Sequence, residues 1–383
     1  MEEKKSKILI YIPSFTIGGT ISSLSALLAS VDPSRVTIDV YSRSHLGPCR
    51  TQLTNCRILK ENFWLSSVVR SRGFVMKLLS YGVQLIIHIC SALGINIAKY
   101  TYCIGGRIIG SDHYDAVIAY QEAVASYVSY MPAKKRIAWI HCDYERVVVE
   151  NPLAKKNNRF HLFDNIVCVS KSAMAAFERV FPNLAERASY IYNIVDDNKI
   201  RKLASHSKPV NSDYLTDRKT IVSVGRYDNV KQFDMIPSIA ARIKELTAIP
   251  FRWYIIGAAT GGDNEKKVSE RIKEYHVEEE VIIYPAQKEV YPYISAADIL
   301  VNTSRSETFS MVVFEARAFG VIPIMNDIPI AKEVIDDGKD GFICSLSDMP
   351  TLIAKLLDSD IEMGNRFWDN LESINRFYKL VEE

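Results

Sequence analysis

Residues 220–231 read Thr220-Ile-Val-Ser-Val-Gly225-Arg226-Tyr-Asp-Asn-Val-Lys231. A short apolar run closes on a glycine, a cation follows at once, and a second cation comes five residues later. The run has the length and character of a strand buried on both faces, and Gln232–Leu246 beyond it reads as a helix. Strand, loop and helix in this order form the repeating unit of a doubly wound α/β sheet. The alternation continues through Phe251–Ile256, Val281–Tyr284, Ile299–Val301 and Val321–Met325, with helices at Glu265–Tyr275 and Met311–Phe319. It also runs backwards, through Ile8–Ile12, Val36–Tyr41, Ala116–Tyr120, Ile137–Ile140, Asn165–Val169 and Tyr190–Tyr192, with helices at Ser22–Ser30 and Ser172–Val180. The polar stretch Ala204–Lys219 separates the two series and reads as a linker. The chain is therefore expected to hold two doubly wound, Rossmann-like α/β domains, residues 1–203 and 204–360. Residues 361–383 would form a C-terminal helix crossing back to the first domain, with Phe367, Leu371, Ile374, Phe377, Tyr378 and Val381 on its apolar face. Ligands of such sheets sit at the carboxyl ends of the strands, so the cleft between the domains is the expected site.

Composition narrows the class. The 383 residues are 48% hydrophobic and 24% charged, ordinary for a folded globular protein and enough for two cores. The net charge of +2 hides an asymmetry, with +8 on residues 1–200 and −6 on residues 201–383. Neither half is basic enough to read as a nucleic-acid binder. The seven cysteines are odd in number, irregularly spaced and without a C-x-x-C pair, which fits reduced thiols of a cytosolic protein. The five apolar residues before Pro13 are too few for a signal peptide and read as the first strand. Phe74–Ala98 is long enough to span a bilayer. Its Lys77, Gln84, His88, Asn96 and two glycines favour a buried helix pair instead, with a helix lying at a bilayer interface as the alternative.

Chemistry concentrates in two motifs. Gly225 admits a close backbone approach, and Arg226 and Lys231 can converge on a diphosphate, although two solvated cations would give the same pattern. The second motif is Asp298-Ile-Leu-Val-Asn-Thr-Ser-Arg-Ser-Glu307-Thr-Phe-Ser-Met-Val-Val-Phe-Glu315-Ala-Arg-Ala-Phe-Gly320. A strand runs into a Ser/Thr-rich turn, and a helix starts near Ser310. The amides of Phe309, Ser310 and Met311 are then first-turn donors suited to an anion. Glu307 precedes the helix and Glu315 lies inside it, among residues too apolar for a casual surface charge. Carboxylates so placed can accept from adjacent hydroxyls of a ribose or hexose. Asp358-Ser-Asp360 reads as a helix end and not as a metal site.

Gly225-Arg226…Lys231 followed by Glu307…Glu315 resembles the donor-site signature of family 4 retaining glycosyltransferases, which have the GT-B fold. Four further segments resemble that family: Gly18-Gly19-Thr20, Ala138-Trp-Ile-His141-Cys-Asp143, Phe163–Ser170 and Tyr192-Asn193-Ile-Val-Asp196. Tyr114–Glu122 is loosely similar to members that build bacterial surface polysaccharides. The sequence departs from the family in having Met325-Asn326-Asp327 where glycines are common, and Thr308 where Gly or Ser is frequent.

The resemblance implies a nucleoside-diphosphate sugar as donor, a glycan or lipid-linked acceptor, and no cofactor or metal. It implies that Arg226 and Lys231 hold the diphosphate and that Glu315 takes the ribose hydroxyls. Glu307 would hold the donor sugar beside Thr308, Phe309, Ser310 and Met311. Gly18 and Gly19 would offer amides to the phosphates, His141 would touch the transferred sugar, and the loop around Gln287 would meet the base. Asp143 and Glu145 are the implied acceptor contacts. A nucleotide-sugar epimerase of similar fold and a non-catalytic partner subunit are the alternatives. A nicotinamide dehydrogenase is disfavoured because no G-x-G-x-x-G follows a strand. The basic first half suggests a peripheral enzyme on an anionic inner leaflet, with Arg70, Arg72, Lys77, Lys134, Lys135 and Arg136 facing it.

Overall fold

The computed structural model describes residues 5–383 except 17, 63–64, 66–77, 79–80, 83–84, 87–88, 91, 94–96, 158, 206–217, 259–261, 288, 360–362 and 364–367. The chain divides into two units, Met1–Ile194 with Asn370–Glu383, and Val195–Asp369.

The first unit holds seven parallel strands in the order β3-β2-β1-β4-β5-β6-β7. They are β1 (Ser6–Ser14), β2 (Val36–Ser44), β3 (Cys56–Ile58), β4 (Ala116–Ala119), β5 (Arg136–Ile140), β6 (Asn165–Cys168) and β7 (Ala188–Tyr190). Ile8, Leu9, Ile10 and Tyr11 are all fully buried, as expected for a strand covered on both faces. Helix α1 (Gly19–Ser30) follows β1, and α2 (Ile97–Ile108), α3 (Tyr144–Glu150) and α4 (Lys171–Val180) come later.

The second unit repeats the plan with β10-β9-β8-β11-β12-β13, again all parallel. Here β8 is Lys219–Val224, β9 Phe251–Gly257, β10 Val281–Pro285, β11 Ile299–Asn302, β12 Ile322–Asn326 and β13 Phe342–Cys344. Its helices include α5 (Asp197–Ser205), α6 (Ile236–Leu246), α7 (Asn264–Glu274), α8 (Tyr291–Ser295), α9 (Met311–Ala318) and α10 (Met349–Leu357). In each sheet the strand order reverses once, between β1 and β4 and between β8 and β11. The carboxyl ends at such a reversal form a crevice.

Several expectations shift. The unit boundary falls before Val195, because α5 packs on α8 and α9 of the second unit. Most of the expected linker lies outside the described residues. The last helix, α11 (Leu371–Glu382), starts after the expected residue 361, and Phe367 lies outside the described residues. It buries Phe377, Tyr378 and Val381, while Leu371 is exposed. It docks on the first unit, where Tyr378 Oη accepts from the Asp32 amide at 2.6 Å and Lys135 Nζ donates to the Leu380 carbonyl at 3.0 Å. Asp358 ends α10 and accepts from Thr247 Oγ1 at 2.6 Å, which is the helix-end role expected of it. Strands β3 and β13 were too short to read from hydrophobicity. The expected burial of Phe74–Ala98 is overturned, since Leu78, Tyr81, Leu85, Ile86, Ile89 and Leu93 are all exposed.

One contact fixes the β8–β9 crossover. The Gly225 amide donates to the Ile256 carbonyl at 3.0 Å, and a Cβ on Gly257 would overlap the Gly225 carbonyl oxygen. Backbone cannot yield as a flexible side chain does. Gly257→Ala should therefore destabilise the second unit by about 2–4 kcal/mol. Urea unfolding followed by tryptophan fluorescence, with the buried Trp253 as reporter, would measure the loss.

Candidate active site

In the second unit the loops after β8 and β11 meet at the reversal point. Tyr227 is buried and anchors the first loop by donating to the Ile255 carbonyl at 3.0 Å. Asp228 accepts from the amides of Val230 at 3.0 Å and Lys231 at 3.1 Å. Thr303 Oγ1 then donates to the Lys231 carbonyl at 2.6 Å, and the Arg305 amide to the Val230 carbonyl at 2.9 Å. The Lys231 stem lies over Gly225, where a Cβ would stand 3.0 Å from its Cε. Backbone geometry thus aims the Lys231 ammonium into the crevice.

There Lys231 Nζ pairs with Glu307 Oε1 at 2.5 Å. The same oxygen accepts from Ser304 Oγ at 2.7 Å and from Asn302 Nδ2 at 3.2 Å. Among the described residues nothing donates to Oε2. Burial raises the Glu307 carboxyl, but the Lys231 charge and the three hydrogen bonds outweigh it, and the group titrates below its ordinary value. Asn302 Nδ2 also donates to Ser310 Oγ at 2.7 Å, which leaves the Ser310 hydroxyl proton free to donate elsewhere. Arg226 is exposed and pairs with Asp228 at 3.2 Å, so the two cations rest on separate carboxylates.

Ser310 adopts a left-handed conformation (φ 60°) at the start of α9. Among the described residues nothing accepts from the amides of Ser310 and Met311, which open the helix as anion donors. The Phe309 side chain serves the core. It is buried and stacks on Phe314, with ring centroids 4.6 Å apart. Thr308 is half-buried beside Glu307.

Glu315 lies on α9 and is 7% exposed. Among the described residues nothing donates to its carboxyl, and burial pushes it up to about 7. A buried acceptor without a donor is rare in a native fold and marks a place where a ligand supplies the hydrogen bonds. Gln287 follows β10. Its Nε2 donates to the Pro285 carbonyl at 2.9 Å, and Tyr293 Oη donates to its Oε1 at 3.2 Å.

The first unit has its own strand-end cluster. A Cβ on Gly18 or Gly19, at the start of α1, would meet nothing within 4 Å. Ser23 Oγ donates to Asn193 Oδ1 at 2.7 Å and lies 2.9 Å from Tyr120 Oη. The His141 ring packs 5.0 Å from Tyr120, and burial depresses its pKa to about 3, so it stays neutral. The His141 amide donates to Glu122 Oε2 at 3.1 Å. Asp143 caps α3 by accepting from the amides of Glu145 at 3.1 Å and Arg146 at 3.4 Å. Glu145 makes a two-point pair with Arg179 at 2.6 and 2.8 Å. Both of these acids therefore have structural partners.

Sequence reasoning missed Glu122, Asn302, Ser304 and Asp228 as members of these clusters. Asn302 and Ser304 carried a signal, because polar residues at the end of a fully apolar strand must find partners at the sheet edge.

Two doubly wound parallel sheets with charged clusters at their strand-end reversals define the class, the GT-B fold of glycosyltransferases. Residues 208–370, most of the second unit, match the family described as glycosyl transferases group 1. An uncharacterized 41.2 kDa protein in the cps region of Klebsiella pneumoniae is 29% identical over 172 residues, 44% of each chain. The N-acetyl-alpha-D-glucosaminyl L-malate synthase of Bacillus anthracis is 23% identical over 227 residues, 57% of this chain and 58% of that one. The match thus spans about half the length of these relatives. The structure of Anabaena Alr3699/HepE in complex with UDP and glucose is similar with a TM-score of 0.67, 16% identity, and coverage of 99% of this chain and 100% of that one.

The raised Glu315 carboxyl has a stability consequence. The folded state keeps its proton up to about pH 7, whereas the unfolded chain releases it near 4.3. The stability it contributes is full below the lower value and is lost as pH rises through about 7. Glu315→Gln does not titrate, so its stability relative to wild type should rise between pH 5 and pH 8 by on the order of 2 kcal/mol. Thermal melts of both proteins at the two pH values would check this.

Proposed function

We propose that the protein is a retaining glycosyltransferase of the family 4 type. It moves a sugar from a nucleoside-diphosphate sugar, UDP-hexose by preference, to a hydroxyl of a glycan or lipid-linked acceptor. The observation that carries this reading is Glu315, a buried carboxyl on α9 to which nothing donates among the described residues. A ribose brings two adjacent hydroxyls to such a group. The named relatives support the setting, one from a cps region and one structure holding UDP and glucose. We place the enzyme in bacterial surface-polysaccharide synthesis, in the cytoplasm and peripheral to the inner face of the plasma membrane.

In this reading Glu315 accepts from the ribose and the loop at Gln287 meets the base. Lys231 keeps one N–H on Glu307 and has two left for the diphosphate. Arg226 swings from Asp228 to the same phosphates, and Gly18 and Gly19 offer amides to them. Glu307 Oε2 accepts from sugar hydroxyls, with Thr308 to Met311 alongside. The bond from the anomeric carbon to the phosphate oxygen breaks, and the acceptor oxygen bonds to that carbon from the same face. The acceptor proton passes to the leaving phosphate. Fixed cations and helix amides stabilise the departing charge, so no metal is needed. A neutral His141 contacts the sugar without setting a positive charge beside an oxocarbenium-like centre. Asp143 and Glu145 border the acceptor.

Lys231→Ala and Glu315→Ala should each weaken UDP binding by roughly tenfold to a hundredfold by calorimetry, with the fold retained by circular dichroism. Unchanged affinity in both would remove the site assignment. Affinity of the wild type for UDP-glucose should rise as pH passes about 7, where Glu315 ionises. Product NMR should show the donor's anomeric configuration, and turnover should survive EDTA. Conversion of UDP-glucose without any acceptor would favour an epimerase, and no nucleotide binding at all would favour a partner subunit.

A further inference from the structure

Arg43 lies near the carboxyl end of β2 and is half-buried. Its Nε is shut off from water and has no acceptor. Among the described residues no carboxylate pairs with the guanidinium and no oxygen accepts from it. His45, just past the end of β2, also holds a buried Nε2 without a partner. Its ring stands 5.4 Å from that of Tyr41, and burial lowers its pKa, so the imidazole is neutral. At His45 the charge of Glu61 is opposed by that of Arg50. Buried polar groups in native proteins are nearly always satisfied. Orphaned nitrogens on two side chains of one strand end, one of them a cation, mark a place where a ligand supplies the oxygens.

The surroundings describe that ligand. The Arg43 guanidinium lies over the Tyr127 ring, 4.3 Å from its centroid. Tyr127 belongs to the helical turn Ala125–Val128 that follows β4. Its ring packs 4.6 Å from Tyr102 of α2 and 6.2 Å from Tyr11 of β1. A guanidinium held over an aromatic face keeps its N–H groups along its own edges, a fork that takes a carboxylate or a phosphate at two points. Tyr102 and Tyr127 are half-buried and form an apolar wall with polar tips. A sugar ring matches such a wall, with C–H faces and hydroxyl edges. The cluster draws on β1, β2 and the segment after β4, at the strand carboxyl ends where the first sheet reverses its order.

We propose that Arg43, His45, Tyr102 and Tyr127 form a subsite for an acidic sugar unit of the acceptor, one bearing a carboxylate or a phosphate. The anion sits on the Arg43 fork, a hydroxyl meets His45 Nε2, and the sugar face lies against the tyrosines. The proposal rests on the transferase reading and names the class of its acceptor. It also shifts recognition away from Asp143 and Glu145, which are engaged by the α3 amides and by Arg179.

Saturation-transfer NMR on the full chain, without nucleotide, tests this with glucuronate, glucose 6-phosphate and glucose as probes. At least one acidic sugar should bind roughly tenfold tighter than glucose, and less tightly at high salt. Arg43→Gln should lose that roughly tenfold preference at unchanged circular dichroism. Tyr127→Leu should weaken the acidic sugar as well, and it stands in if Arg43→Gln misfolds. A preference for glucuronate would identify a uronic acid unit and one for glucose 6-phosphate a phosphorylated unit, and either supports the subsite. Equal binding of all the probes, binding of none, or an undiminished preference in both variants would overturn it. UDP titrated into the same samples keeps the two readings apart. UDP binding without an acidic-sugar preference sinks the subsite alone, and absence of UDP binding sinks the transferase reading.

Discussion

The ion pair between Lys231 and Glu307 ties the loop after β8 to the loop after β11 at the point where the second sheet reverses its strand order. Neither loop is held by regular pairing there, so side chains must do the work. Three donors converge on one carboxylate oxygen, and Thr303 and Arg305 grip the backbone on either side of the lysine. The cost of burying charge is offset only because both partners are present and further hydrogen bonds complete the set. Among the described residues the arrangement also leaves the second carboxylate oxygen without a donor, and that oxygen is what a ligand can use.

The two glutamates flanking the start of α9 share a side-chain chemistry and differ in environment. Glu307 has a cation and two neutral donors and stays ionised. Glu315 has burial and, among the described residues, no donor, and it holds its proton to about pH 7. Pairs of titratable groups driven apart in this way mark functional sites more often than structural ones. A structural glutamate at the Glu315 position would have been given a partner or replaced by glutamine, and the neighbouring Arg317 illustrates the alternative. That guanidinium is equally buried, pairs with Asp340 at 3.2 Å and donates to the Val334 carbonyl at 2.7 Å. One turn of helix thus carries a buried cation with a counter-charge and a buried carboxyl to which nothing donates among the described residues.

The sheets were legible because fully buried parallel strands are continuous apolar runs, as in Ile8–Ile12 and Ile299–Val301. Edge strands β3 and β13 have three residues each, too few for such a signal. The paired glutamates and cations were legible because spacing along a strand–loop–helix unit survives folding. Their supports were not. Asp228 and Asn302 act through backbone amides and a shared oxygen, which sequence does not display. Glu122 reaches the His141 amide across two strands brought together by topology.

The exposed side chains of Leu78, Tyr81, Leu85, Ile86, Ile89 and Leu93 show a different limit. Hydrophobic content says that a segment avoids water, and it does not say whether protein or lipid takes water's place. Charge sign discriminates better than hydropathy, because a protein core has no sign while an anionic leaflet does. The +8 of residues 1–200 looked like a diffuse excess. Of the cations expected to face lipid, Arg70, Arg72 and Lys77 lie outside the described residues. Those at 134–136 are bound into the fold, Lys134 by Asp115, Lys135 by the Leu380 carbonyl and Arg136 by the Ser129 carbonyl.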